Sequence, residues 1–278
     1  MSDYSLDEIH GRLLMMAKDF HNICVKNNIR YYIVGGTFLG AVRHHGFIPW
    51  DDDMDIGIPR KDYDRLVAIS KSVFPSKYEL KFYKTTKDSP IHYAKFIDSS
   101  TTLIEKEYKN YVEGLYIDIF PLDNYDNDSI LDALTRKIVL ICQGFISCHC
   151  TTNKKTGLKR IIQVVSSLIN VRMLHEIQEH LIIRKRKYHT EHIINYLGAW
   201  GKREIQLKKT LGKPKLYKFE DTWLYGPSDY DKYLSSVYGE YMELPPKEKR
   251  KCTHQYYYVD FNKSYKEYQK ENIKNKRI

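Results

Sequence analysis

The chain has 278 residues, 42% of them hydrophobic and 29% charged, with a net charge of +10. That length suits one large domain, or one domain with a helical annex, and that composition excludes a disordered or fibrous chain. The positive balance points to anionic partners such as phosphates, nucleotides, nucleic acid or an acidic membrane face, with a solvated basic surface as the plainer reading.

Ser5 and Glu8 form a capping box, and Leu6, Ile9, Leu13, Ala17, Phe20 and Cys24 recur at helical steps, so a helix is predicted from Ser5 to about Lys26. Ile29 to Val34 reads as a short strand that ends in Gly35-Gly36, a turn that lets the backbone approach a ligand closely. A short helix then starts at Thr37, its free N–H groups suited to a phosphate. His44 to Pro49 is a loop. After it come four carboxylates in five positions, Asp51, Asp52, Asp53 and Asp55, which repel one another unless cations sit among them.

From Asp53 to Ile58 apolar and polar residues alternate, so Asp53 and Asp55 share one face of a strand and Met54, Ile56 and Ile58 the other. Two converging carboxylates suit a divalent cation, Mg²⁺ or Mn²⁺. An exposed acidic turn is the plainer reading, and the buried apolar face argues against it. Arg60 to Ser72 is predicted helical. Tyr78–Tyr83 and Ile91–Asp98 are predicted to be paired strands. Lys95 in the second needs an anionic partner if buried, which a substrate phosphate would supply; otherwise it snorkels to the surface. Gly114 to Leu122 is another strand. Asp118, in the middle of its apolar run, is expensive to bury unless paired or metal-bound and is the expected third metal ligand. Asp123 reads as a turn residue or helix cap.

From Ser129 the character changes. Three helices are predicted, Ser129–Cys150, Leu158–Val171 and Leu174–Lys187, with a basic loop at Lys154-Lys155. The first is apolar on more than one side, and the third ends in Arg184-Lys185-Arg186-Lys187, a solvated helix end or a contact for anionic lipid or polymer. Cys148-His149-Cys150 has poor spacing for zinc, and the five scattered cysteines suit a reducing compartment better than a disulfide framework. A strand or hairpin carrying Glu220 and Asp221 is predicted at Leu216–Leu224, a helix capped by Ser228 runs to Tyr238, and an extended segment leads to His254. The tail from Lys263 is polar. The domains drawn from this are a catalytic core at 1–128, a helical region at 129–215 and a segment at 216–278 that packs back on the core. No apolar run approaches the ~20 residues of a membrane span, and the N-terminus lacks the pattern of a secretion signal, so a cytoplasmic location is expected.

A glycine turn, an acidic pair on one strand and a third aspartate on a later strand suit metal-dependent transfer at phosphorus. The set Gly35-Gly36, Asp53-Met54-Asp55 and Asp118 resembles the nucleotidyltransferase-fold motif. The longer string GGTFLGAVRHHGFIPWDDDMDIGIPRKDYDRL, then YAKFID, GLYIDIFPLD and LYKFEDTWLYGPSDYDKYLSSVYGEYMELPPKEKRKCTH, resembles the LicD family of phosphotransferases, to which fukutin-type proteins are related. The resemblance covers roughly residues 6–260. It implies an α+β fold with a small mixed sheet, flanking helices and an added helical region. It also implies transfer of a phospho-alcohol, typically phosphocholine from CDP-choline, to a sugar hydroxyl of a cell-surface glycan or glycolipid. Asp53, Asp55 and Asp118 would hold the metal, and Asp118 would serve as base. Gly35, Gly36 and Thr37 would meet the donor phosphates, and Arg43 and Lys95 would offset their charge. Asp52, with Asp51, would stand behind the ligands or touch a substrate. Glu220 and His254 match the family's C-terminal pattern without an evident role. Nucleic acid is not an expected partner, and peripheral contact with the inner membrane face is. The alternative reading is a nucleotidyltransferase that moves NMP from an NTP onto a small molecule or RNA end.

Overall fold

A computed structural model of the chain describes residues 4–275 apart from 109–110, 152, 154–155, 185–188 and 253. The predicted basic runs at Lys154-Lys155 and Lys185–Lys187 therefore lie outside the described residues. The capping box forms as the sequence predicts: Glu8 N donates to Ser5 Oγ at 3.2 Å, and Ser5 N donates to Glu8 Oε2 at 2.9 Å. It opens α1 (Leu6–Lys26), whose stripe of Ile9, Leu13, Ala17, Phe20 and Cys24 is buried. β1 (Tyr32–Ile33) leads directly into α2 (Gly35–Arg43), and β2 (Asp55–Pro59) leads into α3 (Arg60–Val73). β3 (Tyr78–Lys81), β4 (Ala94–Asp98), β5 (Thr102–Glu105) and β6 (Tyr116–Tyr125) follow.

The main sheet has the order β1-β2-β6-β4-β3, with β2 and β6 parallel. β6 is its spine: nine of its ten residues are buried, because α1 and α3 pack on it and strands flank it on both sides. Each fully buried isoleucine there contributes about 1.5–3 kcal/mol. Directly opposed residues on neighbouring strands share a face, so the register places Asp55, Asp118, Lys95 and Lys81 in one row across four strands. Asp123 is no turn residue. It lies in β6, where its carboxylate accepts from Arg60 Nε and Nη2, both at 2.7 Å, in a buried fork.

The stretch 129–215 is not wholly helical. α4 (Ile130–Cys150) starts at the Ser129 cap, α5 (Leu158–Ser167) ends before Asn170, and Asn170 caps α6 (Val171–Ile183). β7 (His192–Ile194) and β8 (Ile205–Leu207) then extend the sheet, β7 pairing with the end of β6. A one-turn helix α7 (Lys208–Leu211) precedes the hairpin β9 (Lys215–Phe219) and β10 (Thr222–Gly226). Asp229, not Ser228, caps α8 (Tyr230–Tyr238). β11 (Tyr256–Asp260) pairs with β5, and α9 (Tyr265–Asn275) is anchored by Tyr265 N donating to Thr101 O. The fold is α+β, as expected. Among the described residues no helix is long and apolar enough to cross a membrane.

Candidate active site

The acidic run meets the glycine turn at close range. Gly35 has φ +56°, and a Cβ there would lie 2.6 Å from Asp55 Oδ2; a Cβ on Gly36 would lie 2.6 Å from Asp51 Oδ2. Both glycines are thus required by carboxylates that crowd the start of α2. Thr37 Oγ1 accepts from Asp55 N at 2.8 Å and Val34 N donates to Asp55 O, which fixes where β2 begins. Asp118 N donates to Met54 O at 2.9 Å, so the parallel pairing starts one residue before β2, and the charge of Asp53 acts on Asp118.

Asp53, Asp55 and Asp118 line one cavity of about 500 Å³, together with Tyr93, Glu204 and His254. Their pKa values show how costly the grouping is. Burial, then Asp53, Asp118 and Asp51, raises Asp55 well above the usual carboxylate range. Burial first, with repulsion from Asp53, raises Asp118 to about 7 against the pull of Lys95. Asp51 rises to about 8, by burial and then by Asp53 and Asp52, and it shares a hydrogen bond with Asp53 that requires a proton between them. Asp118 also accepts from the Tyr93 hydroxyl, while its Oδ1 is buried with no partner. Among the described residues no three His, Cys, Asp or Glu side chains are already gathered as a metal site. The donors nevertheless fit a hard divalent cation: they are carboxylate oxygens, they repel one another, and one buried oxygen is unsatisfied.

The remaining predicted residues fall into two groups. His254 belongs to the site. Its Nδ1 lies 3.1 Å from Asp52 Oδ1 and 3.9 Å from Asp53 Oδ2. Burial alone would lower its pKa, but the bond to Asp52 and the charges of Asp53, Glu105 and Asp52 raise it to about 9. His254 is therefore an imidazolium that donates to Asp52. Arg43, Lys95 and Glu220 are turned to other tasks. Arg43 sits eight residues beyond Gly35, roughly 12 Å along the helix, where its Nη1 donates to Tyr241 O at 2.7 Å and Glu243 O at 3.2 Å. Glu220, at φ +53° in the β9–β10 turn, accepts from Phe47 N at 2.9 Å through Oε1 and clamps the loop that delivers Asp51.

Lys95 is buried, as the first of its two readings requires, but its anionic partner is internal. Its Nζ donates to Glu113 Oε1 at 2.7 Å, lies 3.7 Å from Glu105 Oε1, and sits 3.2 Å from the centroid of the Tyr116 ring. Lys95→Met would strand two buried carboxylates and is expected to destabilise the fold by about 3–5 kcal/mol, read as a lower denaturation midpoint. A lysine that met only a donor phosphate would instead raise KM and leave the midpoint unchanged.

Sequence patterning missed Glu204, Tyr93 and Tyr233. Glu204 follows a short turn after Trp200 and accepts from Trp200 N at 3.2 Å; burial raises it to about 7. Tyr233 OH accepts from Gly35 N at 3.4 Å and caps the glycine turn from α8. Neither Glu204 nor Tyr233 lies near the acidic run in sequence, so no local signal marks them.

An α+β fold that gathers carboxylates from adjacent strands around a glycine turn can be set against known proteins. Residues 28–137, which carry every aspartate of the cavity, match the family described as LicD/FKTN/FKRP, nucleotidyltransferase domain. The chain is 31% identical over 251 residues to the lipopolysaccharide cholinephosphotransferase LicD of Haemophilus influenzae, a match that covers 84% of this chain and 90% of that protein. The chain belongs to the LicD family. A shorter match, 53% identical over 34 residues, relates it to the ribitol 5-phosphate transferase FKRP of Homo sapiens and covers 12% of this chain and 7% of that one. An uncharacterized protein of Rickettsia typhi is 58% identical over 72 residues, 26% of this chain and 23% of its own.

Proposed function

We propose that this protein transfers a phospho-alcohol, phosphocholine from CDP-choline, to a sugar hydroxyl of a cell-surface glycan, with CMP as leaving group. The observation that carries this reading is the shared cavity of Asp53, Asp55 and Asp118 in a chain that spans 90% of a LicD cholinephosphotransferase. Its catalytic part would be a nucleotidyltransferase-like core. Asp53, Asp55 and Asp118 would hold Mg²⁺ or Mn²⁺, which when bound polarises the phosphoryl oxygens and offsets their charge.

The chain's own groups do the rest. The acceptor hydroxyl attacks the phosphorus that bears choline, and the bond from that phosphorus to the CMP oxygen breaks. Asp118 Oδ1, buried and without a partner, receives the hydroxyl proton, with the carboxylate oriented by Tyr93. His254 carries the positive charge that lines this cavity among the described residues and faces the donor diphosphate in the place predicted for Arg43 and Lys95. Asp52 holds His254 in its protonated form.

Incubation with Mg²⁺, CDP-choline and a lipopolysaccharide-type sugar acceptor is expected to release CMP and to leave phosphocholine on the acceptor. Nucleotide on the acceptor would mean nucleotidyl transfer instead. An absence of CMP with every CDP-alcohol tried would overturn the proposal.

A further inference from the structure

We propose that the outer face of α4, α5 and α6 docks on the surface of an anionic lipid bilayer. Of the 22 large hydrophobic residues exposed among those described, 12 lie between 130 and 177, so the exposure is concentrated and not scattered. On α4, Ile130, Leu134 and Ile141 follow one helical line and are 85%, 49% and 57% exposed. α5 is turned inside out. Ile161, Val165 and Leu168 face solvent, whereas the buried side chain described in that helix is Ser166. α5 and α6 both pack against α4, so the three helices present apolar side chains from one unit. Apolar exposure on this scale marks an interaction surface.

Charge selects the occupant. Residues 129–187 hold eleven Lys and Arg against three Asp and Glu, which is +8 of the chain's +10. A second copy would bring the same excess against itself and be repelled at low salt. An anionic bilayer satisfies both features: apolar side chains enter the acyl boundary, and the exposed Lys137 of α4 and Arg160 of α5 add about 1 kcal/mol each near an anionic surface. The contact is peripheral, since no described helix is long and apolar enough to cross.

The face also adjoins the cavity. Leu140, 43% exposed on α4, lines the same cavity as Asp55 and Asp118. If the function is as proposed above, an acceptor carried on a lipid reaches Asp118 from the bilayer side; that consequence rests on the proposed transfer, and the docking itself does not.

The test is sedimentation of the full chain with vesicles of phosphatidylcholine, with and without phosphatidylglycerol. Sedimentation with the phosphatidylglycerol vesicles is expected to exceed that with phosphatidylcholine alone by about tenfold at low salt, and to weaken as salt is added. Ile161→Asp and Leu168→Asp are expected to reduce it by about tenfold without lowering the melting temperature, because both side chains are exposed. Protein that stays in the supernatant with phosphatidylglycerol vesicles at low salt overturns the proposal. So does a dimer in light scattering that the same substitutions return to monomer, since the face would then belong to a second copy. Neither readout depends on CMP release, so failure of the donor chemistry leaves this result standing.

Discussion

Asp55→Asn is expected to lower CMP release by about a thousandfold and, in metal-free protein, to raise the melting temperature. The two effects have one cause. Asp55 is half-buried opposite Asp118 in the β2–β6 register, and its pKa is raised by desolvation and then by Asp53, Asp118 and Asp51. Every one of those influences opposes the charged form, so ionising Asp55, as metal binding requires, costs the folded chain stability. Asparagine keeps the shape and removes the charge. Thr37 still receives the backbone N–H of residue 55, because that bond involves no side chain of Asp55. Each kcal/mol recovered moves the midpoint by about 2–4 °C in a chain of this size. The lost activity corresponds to about 4 kcal/mol of transition-state stabilisation, the order of what a bound divalent cation supplies. Added Mg²⁺ should stabilise the native chain and leave the variant nearly unmoved. A variant that melts lower than the native chain without metal would show that the aspartates do not strain the fold, and full activity would remove Asp55 from the site.

The acidic centre is more legible in the sequence than its surroundings, for a physical reason. Alternation along Asp53–Ile58 points to side chains that share a face, although β2 begins only at Asp55 and Asp53 stands in the segment before it, and the central aspartate in an apolar strand reports an unusual burial. Both signals are local, and the structure places all three carboxylates on one cavity. Alternation does not report which strands become neighbours. The internal partner of Lys95 is invisible to it, because Glu113 stands just before the predicted strand and beside Lys95 only in the folded chain. Arg43 is close to the glycine turn in sequence, yet a nine-residue helix puts it at the far end. β5 and β11, β7 and β8 are strands of three to five residues, too short for a periodic signal. They are held by pairings as distant along the chain as Thr102 with Asp260. The break between α5 and α6 depends on Asn170, whose Oδ1 accepts from Arg172 N and Met173 N. Apolar residues continue on both sides of that cap, so periodicity alone runs through it.

The metal-free protein is expected to melt at a higher temperature at pH 6 than at pH 9, and Mg²⁺ is expected to flatten or invert that slope. Asp118 and Asp51 move from 3.8 to about 7 and about 8, by burial first and neighbouring carboxylates second. Between those values the folded chain holds protons that the unfolded chain has released, so stability falls as the pH rises through them. Glu204, raised by burial from 4.5 to about 7, acts in the same direction. His254 adds to the slope from the other side of neutrality. The bond to Asp52 and the charge of Asp53 overcome its burial and raise it from 6.5 to about 9, so its contribution is complete below pH 6.5 and is lost as the pH climbs through 9. Each tenfold difference in proton affinity between the folded and the unfolded chain is worth about 1.4 kcal/mol. A cation bound by Asp53, Asp55 and Asp118 competes with the protons these groups retain, so its affinity and the stabilisation it brings should increase with pH, with protons released on binding. Melting curves from pH 6 to pH 9, with and without Mg²⁺, measure both slopes. Asp118→Asn should remove part of each, because it deletes one retained proton and one metal ligand together. If it left the metal-free slope intact and the Mg²⁺ response unchanged, Asp118 would be neither the titrating group nor a ligand.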